Sequence, residues 1–148
     1  MNLKFPVNLF LQGIQEKKVY YFSNKNINTY TPHYYICLKR TDDDLLILSC
    51  CTSQFETVKR FIELSDLPFE TLVWIKPKDG ENPFIKDRYV NCNQYFSYSI
   101  DQFKQMYEQD NISFSGEISD VHFEQIIIGI KISPLIDEDI KDLLPQLD

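Results

Sequence analysis

Two apolar runs lying almost end to end constrain this chain most. Tyr34-Tyr35-Ile36-Cys37-Leu38 and Leu45-Leu46-Ile47-Leu48-Ser49-Cys50-Cys51 are separated by a short stretch containing Thr41-Asp42-Asp43-Asp44. Runs of five to seven residues rich in Ile, Leu and Tyr predict strands. The acidic stretch predicts a tight turn, because Asp side chains bond nearby backbone groups. The two strands are nearly apolar throughout, so they are expected at the centre of a sheet rather than at an edge.

Further strand signals flank this hairpin. Val19-Tyr20-Tyr21-Phe22 reads as a first strand, Thr71-Leu72-Val73-Trp74-Ile75 as a later one, and Arg88-Tyr89-Val90-Asn91-Cys92-Asn93 as another. Asn24 to Thr31 is a polar loop, Gln54 to Leu67 a charged irregular stretch with room for one helical turn, and Pro77-Lys78-Asp79-Gly80 a turn. Ser99 with Gln102 three residues on matches a capping box, so a short helix is expected from Ile100 to Tyr107. Ile112-Ser113-Phe114-Ser115 alternates as a small strand. From Asp120 to Ile132, behind Ser119, an isoleucine-rich stripe predicts a long helix pressed on the sheet, ended near Pro134. Residues 1–16 fit a strand, a short helix or a partner-facing arm, and 134–148 an acidic C-terminal extension with a last helix from Asp137 to Leu144.

The chain has 148 residues, 43% of them hydrophobic, and only four glycines. One domain, residues 1–148, with a sizeable core is expected. No glycine-rich phosphate loop is present. Cys37, Cys50, Cys51 and Cys92 lack C-x-x-C spacing and sit in apolar runs, which points to buried free thiols rather than zinc ligands. No apolar stretch reaches bilayer length, so no membrane segment and a cytoplasmic location are expected. The net charge is −7, but Met1 to Arg40 carries six Lys/Arg against one acid, while the rest carries nine against 21. A local cationic face thus stays open to a chain that is acidic overall.

The order of these elements resembles the MazF/PemK-like toxins of bacterial toxin–antitoxin systems. Val19-Tyr20-Tyr21-Phe22 resembles the family's opening strand. Thr31-Pro32-His33-Tyr34-Tyr35-Ile36 resembles its Arg-Pro-strand signature, with Thr31 in the arginine's place. Cys51-Thr52-Ser53-Gln54 resembles the threonine-containing end of the next strand, Asp87 to Gln94 the later strand, and Gly116-Glu117-Ile118-Ser119 with the helix behind it the closing segment. The resemblance spans roughly residues 17–133. It implies a mainly β (α+β) fold, a small SH3-like barrel of five to seven mostly antiparallel strands with a C-terminal helix packed on it. It also implies a homodimer, a cognate antitoxin as partner, and cleavage of single-stranded RNA with no metal or other cofactor.

Metal-free RNA cleavage uses the substrate's own 2′-OH as nucleophile. The protein must move protons and steady the charge on phosphorus. Thr52 takes the family threonine's position. The arginine is missing, and His33, two residues beyond Thr31 and on the same face of a strand, is the side chain suited to proton transfer near neutrality. His33 and Thr52 are therefore the expected catalytic pair. Thr31, Lys39, Arg40, Ser53, Gln54, Arg88 and Asn93 are expected RNA contacts, and Tyr20, Tyr30, Tyr34, Tyr35 and Tyr95 are candidates for stacking on bases. His122 is expected in a solvated or core role. The competing expectation is a non-catalytic barrel that binds a protein, in an antitoxin-like or phage-defence role.

Overall fold

The computed structural model describes residues 4–24 and 31–147. The hairpin forms as expected: β2 (His33–Arg40) pairs antiparallel with β3 (Leu45–Thr52). Thr41 Oγ1 accepts from the Leu45 N–H at 2.9 Å and donates to Asp43 at 2.6 Å, and Asp44 turns the chain at a φ of 61°. The Thr41 hydroxyl holds the exposed Asp43 carboxyl below its ordinary pKa. The turn forms where it was expected, but the backbone N–H is taken by the Thr41 hydroxyl, while Asp43 and Asp44 accept from the Thr41 and Arg40 side chains.

Around the hairpin lie β1 (Lys18–Phe22), β4 (Leu72–Ile75), β5 (Arg88–Asn91), β6 (Phe96–Ser99) and β7 (Ile112–Glu117). The order along the sheet is β4-β5-β3-β2-β1-β7, and every pairing is antiparallel. The outer edge of β3 is shared, with β5 pairing at Cys51 and Thr52 and β6 pairing from Leu45 to Leu48. The expected α+β class with mostly antiparallel strands is what the chain adopts.

Both faces of the hairpin are covered, which explains its unbroken apolar runs. One face, with Val19, Ile36, Ile47, Cys51, Val73 and Val90, packs under Phe123, Ile126, Ile127 and Ile130 of α4 (Asp120–Ile132). The other, with Tyr20, Phe22, Tyr35, Cys37, Leu48 and Cys50, packs under Phe103 and Tyr107 of α3 (Ile100–Glu108) and under Ile14. Helix α3 starts at Ser99 with the expected capping box, Gln102 N to Ser99 Oγ 3.1 Å and Ser99 N to Gln102 Oε1 2.8 Å. Helix α4 is capped by Ser119, and its Gly129 sits so close to the sheet that a Cβ there would meet Cys92 Sγ at 2.7 Å and the Glu70 carbonyl at 3.0 Å.

Two expectations are corrected. The stretch Gln54 to Leu67 is no loop, because it holds the ten-residue helix α2 (Phe55–Leu64), whose Val58 and Ile62, one turn apart, are buried. Strand β6 was not expected at all. The N-terminal segment resolves to a short helix, α1 (Val7–Gln12), stacked on α3 through Phe10 and Tyr107 with ring centroids 4.1 Å apart. The acidic end of the chain forms α5 (Glu138–Leu143). The expected polar loop from Asn24 to Thr31, Tyr30 included, lies outside the described residues except at its two ends.

Candidate functional site

One end of the sheet gathers a row of side chains that runs across six strands. Ile112 pairs with Phe22, and Phe22 with His33. Tyr34 pairs with Cys51, so the next step outward sets His33 opposite Thr52. Thr52 pairs with Tyr89, and Tyr89 with Trp74. Residues opposite each other in an antiparallel pair project to the same face, with Cβ atoms about 4.5–5.5 Å apart. Phe22, Tyr35 and Cys50 fix that face as the α3 side. His33 and Thr52, two residues from Tyr35 and Cys50, project the same way.

His33 and Thr52 are both half-buried, Ser53 beside them is half-buried, and Thr31 and Gln54 are exposed. The Thr52 hydroxyl accepts from the Gln54 N–H at 3.1 Å, which starts the turn into α2 and leaves the hydroxyl proton to donate elsewhere. Among the described residues the His33 side chain has no hydrogen bond or ion pair. Its imidazole thus stands on the same face as the expected hydroxyl, with its ring nitrogens uncommitted to any described residue.

Other expected contacts fall elsewhere. Lys39 and Arg40 end β2, six and seven residues from His33 and so roughly 20 Å away along the strand. Arg40 Nη1 donates to the carbonyls of Leu11 at 2.6 Å and Ile14 at 3.2 Å, its Nε pairs with Asp44 at 3.1 Å, and Lys39 lies 4.0 Å from Glu16. Arg88 stands at the His33 end but on the opposite face, its guanidinium 4.9 Å from the Tyr34 ring centre and 6.0 Å from that of Phe84, and its Nε buried without a hydrogen-bond partner among the described residues. Asn93 is buried, donating to Thr71 at 2.8 Å and Asn91 at 3.0 Å and accepting from Ser133 at 2.7 Å. Its amide ties the end of β5 to the end of α4, with both N–H donors engaged and the group buried away from any base edge.

Tyr20 and Tyr35 are core side chains, and Tyr34 lies against Tyr21 and Arg88. His122 is buried, with Ser119 Oγ 3.2 Å from Nδ1 and Asp79 3.7 Å from Nε2, and belongs to the start of α4. All four thiols are buried, and burial pushes Cys37 and Cys50 up to about 12 and raises Cys51 and Cys92 as well. A thiolate nucleophile is thereby removed from the reckoning at neutral pH. Among the described residues no three His, Cys, Asp or Glu side chains gather as a metal site would, and no helix is long and apolar enough to cross a membrane.

Trp74, Tyr89 and Phe55 complete the row and were not expected there. Phe55 opens α2 directly after the turn at Thr52, and its ring lies 5.0 Å from Tyr89 and 6.5 Å from Trp74. The signal was present in the alternation Trp74-Lys76 and in Phe55 three residues after Thr52. Only the pairing of β4 and β5 onto β3 joins them.

No family model and no curated protein matches this chain. Among solved structures it is similar to an endoribonuclease in complex with its cognate antitoxin from a mycobacterial species, with a TM-score of 0.49 and 13% identity, over 91% of this chain and 100% of that one. So distant a likeness carries no chemistry across, and the functional reading rests on the chain's own residues.

Proposed function

We propose that the chain is a metal-independent endoribonuclease that cuts single-stranded RNA, the toxin half of a toxin–antitoxin pair. The observation that carries this reading is the placement of His33 opposite Thr52, on one face at one end of the sheet. In the reaction the 2′-OH of the substrate attacks the adjacent phosphorus. The bond from phosphorus to O2′ forms and the bond to O5′ breaks, leaving a 2′,3′-cyclic phosphate and a 5′-hydroxyl. His33 takes the proton from the 2′-OH and returns it to the departing O5′. The hydroxyls of Thr52 and Ser53 donate to the phosphoryl oxygens as charge builds on them. Thr31, exposed at the mouth of the same strand, contacts the backbone of the RNA. A homodimer and a cognate antitoxin that covers this end of the sheet belong to the same reading.

The test is cleavage of a long unstructured RNA by the purified protein, freed of any partner, in EDTA. Products ending in a cyclic phosphate are expected. Intact RNA after removal of the partner has been verified overturns the reading.

A second reading, a barrel that binds a protein without nuclease chemistry, is favoured by one observation. A groove of about 810 Å³ runs between α1 and β7, lined by Phe5, Leu9, Phe10, Tyr20 and Phe114, with Phe5 and Leu9 exposed. Strand β7 ends the sheet, and its outer edge has no strand partner among the described residues, which suits strand addition.

A further inference from the structure

The three rings beside Thr52 are arranged unlike most aromatic pairs of the core, where Phe22 on Tyr35 at 20° and Phe10 on Tyr107 at 15° are the stacked exceptions. Around Phe22 and Phe103 most rings meet edge to face, at 69° to 87°. Phe55, Tyr89 and Trp74 instead lie at 29° to 38° to one another, with centroids 5.0, 5.9 and 6.5 Å apart. Nearly aligned rings make a shelf. Trp74 is 46% exposed, whereas the core rings Tyr20, Phe22, Tyr35 and Phe103 are at most 1% exposed. Two cations sit over the shelf: Lys76 Nζ 4.5 Å from the Trp74 ring centre and Lys59 Nζ 5.9 Å from that of Phe55. Lys59 also lies 3.9 Å from Glu63, while Lys76 is exposed, with no ion pair to any described residue.

From this geometry we infer that Trp74, supported by Phe55 and the buried Tyr89 and flanked by Lys59 and Lys76, forms a subsite on which an unpaired base of single-stranded RNA stacks beside Thr52. Every base has a π-face, so the exposed Trp74 ring, backed by the half-buried Phe55 and the buried Tyr89, binds bases with little regard to sequence. The ammonium over the indole marks a ring face open to solvent. Its flexible stem lets it swing from the ring to a phosphate when a base arrives. The inference rests on the RNA-cleaving reading and deepens it: the shelf continues the His33–Thr52 row, so a base stacked there holds the neighbouring phosphate over the imidazole and hydroxyl. Lysine is depleted at protein–protein interfaces, and two lysines stand over these rings, which favours a polyanion.

Trp74 is the only tryptophan in the chain, so its emission reports the shelf directly. The wild-type protein is titrated with an unstructured 2′-O-methyl oligoribonucleotide, which cannot be cut, and with an abasic oligomer of equal charge. Saturable quenching by the first and none by the second is expected. With affinity read from the anisotropy of an end-labelled copy of the same oligomer, a signal that does not depend on the tryptophan, Trp74→Leu weakens binding about ten-fold, Trp74→Phe restores most of it, and Lys76→Ala lowers the slope of log affinity against log salt by about 0.7. Equal quenching by the abasic oligomer, no quenching at all, or unchanged binding in a folded Trp74→Leu protein overturns the inference. Cleavage in EDTA without quenching refutes the shelf alone. Quenching without cleavage refutes the nuclease alone.

Discussion

The two ends of β2 (His33–Arg40) carry the residues first expected to touch RNA, and they have opposite designs. At the Arg40 end the guanidinium is consumed by two backbone carbonyls and Asp44, and Lys39 faces Glu16. Those cations fasten the end of α1 and the segment after it to the sheet. At the His33 end the imidazole has no partner among the described residues, the Thr52 proton is available, and an aromatic shelf with Trp74 exposed adjoins them. Positive charge in a sequence thus marks a site poorly, because an arginine near orphan carbonyls is worth more as a structural clamp. Uncommitted polar groups beside exposed rings mark it better.

The sharpest way to break this contrast is His33→Ala. A loss of roughly 10²–10⁴-fold in the cleavage rate is expected, the usual worth of a positioned acid–base group, with the melting temperature hardly moved. Retained activity would reduce the His33 end to another piece of scaffold. Arg40→Ala should do the reverse. Denaturant unfolding should show a loss of about 1–3 kcal/mol, since the Leu11 and Ile14 carbonyls lose a charged donor, while the cleavage rate per folded molecule holds. The smallest effect belongs to Lys39→Ala. Its ion pair is long and partly exposed, so stability should change by less than about 0.5 kcal/mol and affinity for single-stranded RNA not at all. A clear drop in affinity there would move the RNA path to the Arg40 end.

Much of the fold was legible locally. The central hairpin, the capping box at Ser99 and the long helix behind Ser119 are short-range patterns, and each forms where its residues predict. Helix α2 was hidden because only Val58 and Ile62 bury firmly, a stripe too thin to stand out among charges. Strand β6 was hidden because Phe96-Ser97-Tyr98-Ser99 is too short to alternate convincingly, and its partner, β3, lies about fifty residues upstream. Asn93 looked like a reader of bases until Thr71, Asn91 and Ser133 closed around it, contacts that no local pattern encodes.

Sequence alone determined that an imidazole and a hydroxyl stand at the outer ends of adjoining strands. It did not determine that they share a face. From the turn, Arg40 pairs with Leu46 and Lys39 with Ile47, a register that would carry His33 to Ser53 and turn Thr52 to the far side of the sheet. The ladder slips by one residue between Cys37 and Lys39, so Cys37 meets Leu48 and His33 comes opposite Thr52. Side chains alternate with a period of two, and a single inserted residue therefore exchanges the faces. Where that bulge falls is decided by packing: Leu38 must enter the core beneath α4 while Cys37 enters the one beneath α3.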